Sequence, residues 1–377
     1  MAISRRQFIR NSTLAVSVPA VMGLNLDSAQ AAMSPAIDYS MGFPEGAVLL
    51  NRNENPLGPP PVAIEAAKDA IHRSARYADS IYLRALLSQH LQLEEDWILI
   101  GTGSGELLKL APLVFARDGG NMVSSTQTYR STPRFLTRLG GEVKWVDLKK
   151  ENDYRQDIKR QLEAVDGDTR IFYLVTPNNP TGESVDYDTL QSIADALPEN
   201  VLFMIDEAYV HYEDDNMKSG LDLLKAGYKN VLVTRTFSKA YAMAGLRCGY
   251  GMGHPDIMKQ IAQFGCGPTS TNMAGFAAAA AALGDDTHTA RSREYARKSR
   301  SYFEENFTSL GIKYLSGCPT FIMADLGDRV TEINQAFRSK KIFVRPGGEW
   351  AMPNHLRVSY GHEAEHQAFF SALKELV

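Results

Sequence analysis

From Trp97 onward, short apolar runs alternate with longer helical patterns, and this alternation constrains the fold more than any other feature of the chain. Strands that alternate with helices of crossover length lie parallel to one another, with the helices covering both faces of the sheet. The apolar runs at 97–100, 121–124, 142–146, 171–175, 201–205, 231–234 and 247–251 predict a mostly parallel seven-stranded sheet in an α/β fold. Several runs end in polar or glycine-rich loops: Gly101-Thr102-Gly103-Ser104-Gly105, Thr176-Pro177-Asn178-Asn179-Pro180, Asp206-Glu207 and Thr236-Phe237-Ser238-Lys239. Ligands of open α/β sheets bind outside the carboxyl ends of the strands, so these loops are expected to converge on one site. After Asp285 the pattern changes to a long charged helix, 287–310, and short strands at 320–325, 342–345 and 356–359. This predicts a large domain over 61–284 and a smaller α+β domain over 285–377, which the segment 32–60 joins.

The chemistry is read from residues that converge on one requirement. Lys239 follows a predicted strand, and Arg247 lies eight residues on. A lysine close to a buried cation loses its proton and becomes a nucleophile towards an aldehyde, which is the Schiff-base chemistry of pyridoxal phosphate. That cofactor needs a carboxylate at its pyridine nitrogen, and Asp206 at a strand end is placed for it. Its phosphate needs backbone N–H groups, offered by Ser104, Gly105 and Glu106 at the start of a helix, with hydroxyls from Thr236 and Ser238 and the donor fork of Arg247. Its phenolic oxygen needs donors, for which Asn179 and Tyr209 are candidates, and Tyr129 is the candidate aromatic lid. Taken singly, Lys239 reads as a solvated charge, Asp206 as a helix cap and Tyr129 as packing.

The runs Asn51-Arg52-Asn53-Glu54-Asn55-Pro56, Pro177-Asn178-Asn179-Pro180-Thr181-Gly182, Asp206-Glu207-Ala208-Tyr209, Thr236 to Ala240 and Gly245-Leu246-Arg247 together resemble the fold-type-I, class I/II pyridoxal-phosphate aminotransferases. Within that class the chain is most similar to the histidinol-phosphate aminotransferase branch, over essentially everything after the first 31 residues. The resemblance implies that Lys239 binds the cofactor and shuttles the substrate's proton, that Asp206 pairs with the ring nitrogen, and that Asn179 and Tyr209 meet the phenolic oxygen. It implies that Tyr129 stacks on the ring and that Ser104, Gly105, Thr236, Ser238 and Arg247 hold the phosphate. Tyr77 matches a tyrosine that reaches the neighbouring subunit's phosphate, which implies a homodimer with shared sites. Arg357 matches the arginine that grips the substrate α-carboxylate. Arg345 matches a position used for the substrate's phosphate, and equally suits a structural salt bridge. Side-chain specificity falls to the loops around Asn55, Tyr129 and Arg345. The chain departs from the branch at Ala78 and Gln127, where prolines are usual.

The first 31 residues read as an export signal. Ser4-Arg5-Arg6-Gln7-Phe8-Ile9 precedes an apolar stretch, and Ala29-Gln30-Ala31 supplies a cleavage pattern of small residues. The paired arginines resemble the twin-arginine type, so the expected partners include that translocation machinery and the expected location is the periplasm or the exterior. Location bears on the reaction, because histidine biosynthesis is cytosolic and 2-oxo acid acceptors are scarce outside the cell. The leading expectation is amino transfer from an amino acid, or a histidinol-phosphate-like amine, to a 2-oxo acid. The same cofactor supports oxidation of an amino acid by dioxygen, with the acidic run Glu213-Asp214-Asp215 facing a cationic substrate such as arginine, or decarboxylation. An exported binding protein without catalysis has no need of Lys239. A net charge of −4 argues against nucleic acid, Cys248, Cys266 and Cys318 set no disulfide framework, and the alanine run at 274–283 is too short to cross a bilayer.

Overall fold

Seven strands form the large sheet of the computed structural model, which describes residues 42–377 except 215, 216, 268 and 270. They are β1 (Ile98–Gly101), β2 (Asn121–Ser125), β3 (Glu142–Val146), β4 (Thr169–Val175), β5 (Leu202–Asp206), β6 (Val231–Thr236) and β7 (Gly249–Gly253). Their order across the sheet is β1-β7-β6-β5-β4-β2-β3. All neighbours run parallel except β7, which is antiparallel to both β1 and β6. The α/β class and the mostly parallel sheet are thus as expected, with strand ends displaced by a residue or two. β7 starts at Gly249 rather than at Arg247 because a turn over Ala244–Leu246 puts Arg247 in the left-handed region, with φ of 52°. The expected export segment 1–31 lies outside the described residues, as do residues 32–41.

Both faces of the sheet are covered, which explains why its strands read as continuous apolar runs. Along β4, Phe172 and Leu174 enter one core while Ile171, Tyr173 and Val175 enter the other, the period-two alternation of a strand. The alanine run forms the helix Met273–Ala282, which packs lengthwise on Pro61–Ile71. The same helix also approaches the turn Ala244–Leu246 so closely that a Cβ at Gly275 would overlap the carbonyl of Leu246. Among the described residues no helix is long and apolar enough to cross a membrane.

The C-terminal lobe has a separate core around Phe303, Phe307, Phe337, Phe369 and Phe370. Its helix Asp286–Ser309 starts where the Asp285 carboxylate caps the backbone N–H of His288. Its sheet, ordered β10-β11-β9-β8, is antiparallel and consists of β8 (Lys313–Leu315), β9 (Phe321–Asp325), β10 (Arg345–Pro346) and β11 (His355–Ser359). The N-terminal segment belongs to this lobe's hydrogen bonding: Val48–Leu49 pairs in parallel with Ile342–Phe343, and Ser359 donates its N–H to Leu50. Residues 50–55 then run from the small sheet towards the large one, and this crossing delivers the asparagine-rich run to the loops at the carboxyl ends of β4, β5 and β6.

Candidate active site

Those loops enclose a cavity of about 560 Å³ between the large sheet and the C-terminal lobe. Of the residues expected at the site, Lys239, Asp206, Tyr209, Ser104, Gly105, Tyr129, Asn179, Thr236, Ser238, Arg247, Arg345 and Arg357 line it. Glu106, Asn55 and Tyr77 do not.

Lys239 follows β6, and its Nζ donates to the carbonyls of Asn53 at 2.8 Å and Arg52 at 3.1 Å. Burial, reinforced by the charges of Arg357 and Arg247, pulls its amine down to about 8. A substantial neutral fraction therefore exists near neutral pH, as a nucleophile or a base requires.

Asp206 ends β5, 2% exposed. Its carboxylate accepts only long bonds, from the Ala208 N–H at 3.2 Å, the Thr234 hydroxyl at 3.4 Å and the Tyr173 hydroxyl at 3.5 Å. No ion pair reaches it among the described residues. Burial pushes its pKa up to about 7. A buried carboxylate with no cation beside it is costly unless a positive group completes the site. Tyr129 lines the cavity wall with 37% of its surface exposed, and desolvation of its phenol, with the Asp206 charge, pushes its pKa up.

Arg357, on β11, lies 5% exposed between the rings of Phe321 and Trp350, at 5.3 and 5.0 Å from their centroids. Its Nη1 donates to Asn179 Oδ1 at 2.6 Å and its Nη2 to the carbonyl of Asn51 at 2.8 Å. The Nε has no hydrogen-bond partner among the described residues, and no carboxylate pairs with the guanidinium. Burial and the neighbouring Arg345 bring its pKa down to about 10. Arg345 faces Arg357 directly across the β10/β11 pair, so both side chains leave the sheet on the same face.

The loop after β1 is shaped by two close approaches, and the loop after β6 adds hydroxyls beside it. Gly103 has φ of 80°, and a Cβ there would overlap the Arg247 guanidinium. A Cβ on Gly249 would overlap the N–H of Ser104. Thr236 donates its hydroxyl to Ser238 Oγ at 2.8 Å. The result is a small concave surface of helix N-terminus, hydroxyls and guanidinium, suited to a phosphate. The Glu106 carboxylate is turned away to accept from the N–H and hydroxyl of Thr102, at 2.7 and 2.9 Å, and from the N–H of Cys266. These bonds outweigh burial and leave its pKa lowered. Its side chain ties the loop together.

Asn55 is likewise committed outside the cavity, donating to the Ala240 carbonyl and to Ser292 Oγ and accepting from Leu57 N–H. Tyr77 is 85% exposed on the face that carries Ile81 and Tyr82. In the acidic run, Glu213 accepts from Ser184 and Asp214 pairs with Arg297, both outside the cavity, while Asp215 lies outside the described residues. Sequence reasoning missed Asn53, whose Nδ2 donates to the Tyr209 hydroxyl at 2.9 Å while Ser359 holds its other end. It also missed Tyr173 beside Asp206, and Glu349 at the mouth. Asn53 stood in plain view within the Asn51 to Pro56 run, but nothing local distinguished it from its neighbours.

A family model for aminotransferases of class I and II matches residues 45–373. The chain belongs to this family. The aminotransferase is 35% identical to histidinol-phosphate aminotransferase 2 of Pseudomonas fluorescens (strain Pf0-1) over 89% of its own length and 90% of that protein's. It is 36% identical to histidinol-phosphate aminotransferase 1 of Cupriavidus pinatubonensis over 87% of this chain and 88% of the relative. Among solved structures, histidinol-phosphate aminotransferase from Sinorhizobium meliloti in complex with pyridoxal-5'-phosphate superposes with a TM-score of 0.80 at 27% identity, covering 87% of this aminotransferase and 91% of that chain. Aspartate aminotransferase from Thermus thermophilus with maleate shares the fold, with a TM-score of 0.77 at 22% identity over 95% of this chain and 100% of that one.

Proposed function

We propose that this aminotransferase uses pyridoxal 5'-phosphate to exchange the amino group of an amino acid, or of a histidinol-phosphate-like amine, with a 2-oxo acid. The observation that carries the reading is Asp206, a buried carboxylate with no ion-pair partner among the described residues, in the same cavity as the Lys239 amine that burial lowers to about 8. The residues fit the cofactor. Asp206 would face the pyridine nitrogen, the Ser104 and Gly105 N–H groups with Thr236, Ser238 and Arg247 the phosphate, and Tyr129 the ring. Tyr209 already accepts from Asn53, which leaves its own proton free to donate, with Asn179, to the phenolic oxygen.

When bound, pyridoxal phosphate supplies an aldehyde that condenses with amines and an electron-poor ring that accepts the electron pair left by a departing α-proton. Asp206 would keep the ring nitrogen of the bound cofactor protonated. Arg357 orients the substrate by pairing with its α-carboxylate through the guanidinium edge that meets no carboxylate in the protein. Lys239 Nζ would take the proton from the substrate α-carbon and hold it as an ammonium, available for return to the substrate–cofactor pair. The carbonyls of Asn53 and Arg52 fix where that amine rests. Tyr77, outside its own cavity, would reach that of a second copy, and the exposed Ile71, Tyr77, Ile81 and Tyr82 favour a homodimer. The arginine pair and small-residue pattern before Ala31 support twin-arginine export to the periplasm or beyond.

The test is a screen of amino acids with purified protein, with and without 2-oxoglutarate or pyruvate, following keto-acid formation and oxygen uptake. Amino transfer requires the acceptor. Oxygen uptake without one would establish the oxidase, and carbon dioxide release would establish decarboxylation. Sedimentation of the protein and N-terminal sequencing of the exported form check the dimer and the cleavage after Ala31.

A further inference from the structure

The cavity holds one acidic side chain besides Asp206, and it occupies a distinctive place. Glu349 Oε1 accepts from Arg345 at 2.7 Å from Nε and 2.6 Å from Nη2, and its Oε2 lies 3.2 Å from Arg134 Nη1. Arg345 stands beside Arg357 on the neighbouring strand, whereas Arg134 comes from the helix Ser131–Arg138 of the large sheet. The carboxylate therefore bridges the two lobes at the cavity wall, which Glu349, Arg345 and Arg134 all line. It is 19% exposed, less than either arginine.

We propose that Glu349 is the specificity-determining residue of this part of the cavity. Its carboxylate takes the position that an acidic side chain of the substrate would occupy between Arg345 and Arg134, so substrates with uncharged side chains are favoured over acidic ones. With α-carboxylates fixed at Arg357, a side chain extending along the same face of the small sheet reaches the adjacent Arg345. Arg345 already has two donors committed to Glu349, so a substrate anion must first displace that carboxylate and break the contact to Arg134. Arg130 does not offer a substitute, since its guanidinium donates to the Thr126 carbonyl and lies over Trp145. Lys109 and Arg138 stand exposed at the rim, where water and salt screen them. Both halves of a transamination use the same cavity, so the preference extends to the keto acid, with pyruvate favoured over 2-oxoglutarate. Of the two amino donors proposed above, this contact therefore favours an amino acid with an uncharged side chain over a phosphate-bearing amine.

This inference rests on the aminotransferase reading, and two measurements keep the two apart. The first compares kcat/KM for glutamate against glutamine and aspartate against asparagine in the wild type, Glu349→Gln and Glu349→Asp. The second titrates succinate and butyrate, which cannot react, into the same holoproteins by calorimetry. Glu349→Gln is expected to raise the acid-to-amide ratio about tenfold and to tighten succinate by a similar factor, the scale of two partly exposed ion pairs. Butyrate binding stays unchanged, and Glu349→Asp stays near the wild type. An unchanged or lowered ratio, or weaker succinate binding in Glu349→Gln, overturns the proposal and leaves Glu349 as a strut that positions Arg345. If no amino acid is turned over by any of the three proteins, the aminotransferase reading fails, while the succinate titration still decides the role of Glu349.

Discussion

Replacing Asp206 by asparagine separates what the site costs the fold from what it supplies to the chemistry. In the protein without cofactor, burial moves the Asp206 pKa from 3.8 to about 7. The native state thus holds a proton between about pH 4 and 7 that the unfolded chain has released. Stability contributed at low pH is lost as the pH rises through that window, and above it the native state carries an ionised carboxylate with only three long hydrogen bonds. At 1.36 kcal/mol per pKa unit, the penalty above pH 7 is about 4 kcal/mol. Asparagine keeps the shape and an acceptor for the Ala208 N–H but cannot ionise. Asp206→Asn without cofactor should therefore match the wild type near pH 4 and exceed it by about 4 kcal/mol above pH 7, which corresponds to about 5 °C in Tm for a chain of this length.

The assay is thermal unfolding of cofactor-stripped wild type and variant across pH 4 to 8.5, repeated with saturating pyridoxal phosphate. Cofactor should raise the wild-type Tm at high pH far more than that of the variant, because only the wild type gains a partner for its carboxylate. Activity should fall steeply in the variant. A stability difference that is independent of pH, or a variant less stable at pH 8.5, would refute the claim that Asp206 is held in an unfavourable state until a cation joins it.

Three further outcomes follow from the same geometry. The rate at which the stripped protein captures pyridoxal phosphate, read from visible absorbance, should rise through about pH 8 as the Lys239 amine loses its proton and then level off; a continued rise to pH 10 would mean the amine is not depressed. Arg357→Ala should raise KM for α-amino acids about a hundredfold with a smaller change in kcat, the scale of losing one charged partner from a buried pair, measured by steady-state kinetics. Asn53→Ala should destabilise the protein by about 1–3 kcal/mol in urea unfolding, because it leaves the buried Tyr209 hydroxyl and Ser359 short of a partner.

The sheet was legible in the sequence because strands buried on both faces must be apolar throughout, and the seven runs from Trp97 to Gly251 announce themselves without any tertiary information. Most of the cavity was legible for a related reason. Asp206 and Thr236 end strands, and Ser238 and Lys239 follow directly after one, so locating the strands locates the residues. The two-residue pairing of Val48–Leu49 with Ile342–Phe343 was not, since its partners lie on opposite ends of the chain and two residues carry no periodic signal. Asn55 and Glu106 show the limit from the other side: their place in the sequence suits the site, and their side chains point elsewhere.

The sequence by itself determined which groups this protein owns: a lysine, a carboxylate, a phosphate loop and an arginine, delivered by a mostly parallel sheet whose strands are marked by their hydrophobic pattern. Only the tertiary structure decided their states. The depressed amine of Lys239, the raised carboxyl of Asp206 and the edge of Arg357 that meets no carboxylate arise from burial and from partners far away in the chain, as does the placement of Glu349 between Arg345 and Arg134. Protonation and pairing are set by what surrounds a group in space, and that neighbourhood exists only after the N-terminal crossing, the large sheet and the C-terminal lobe have come together.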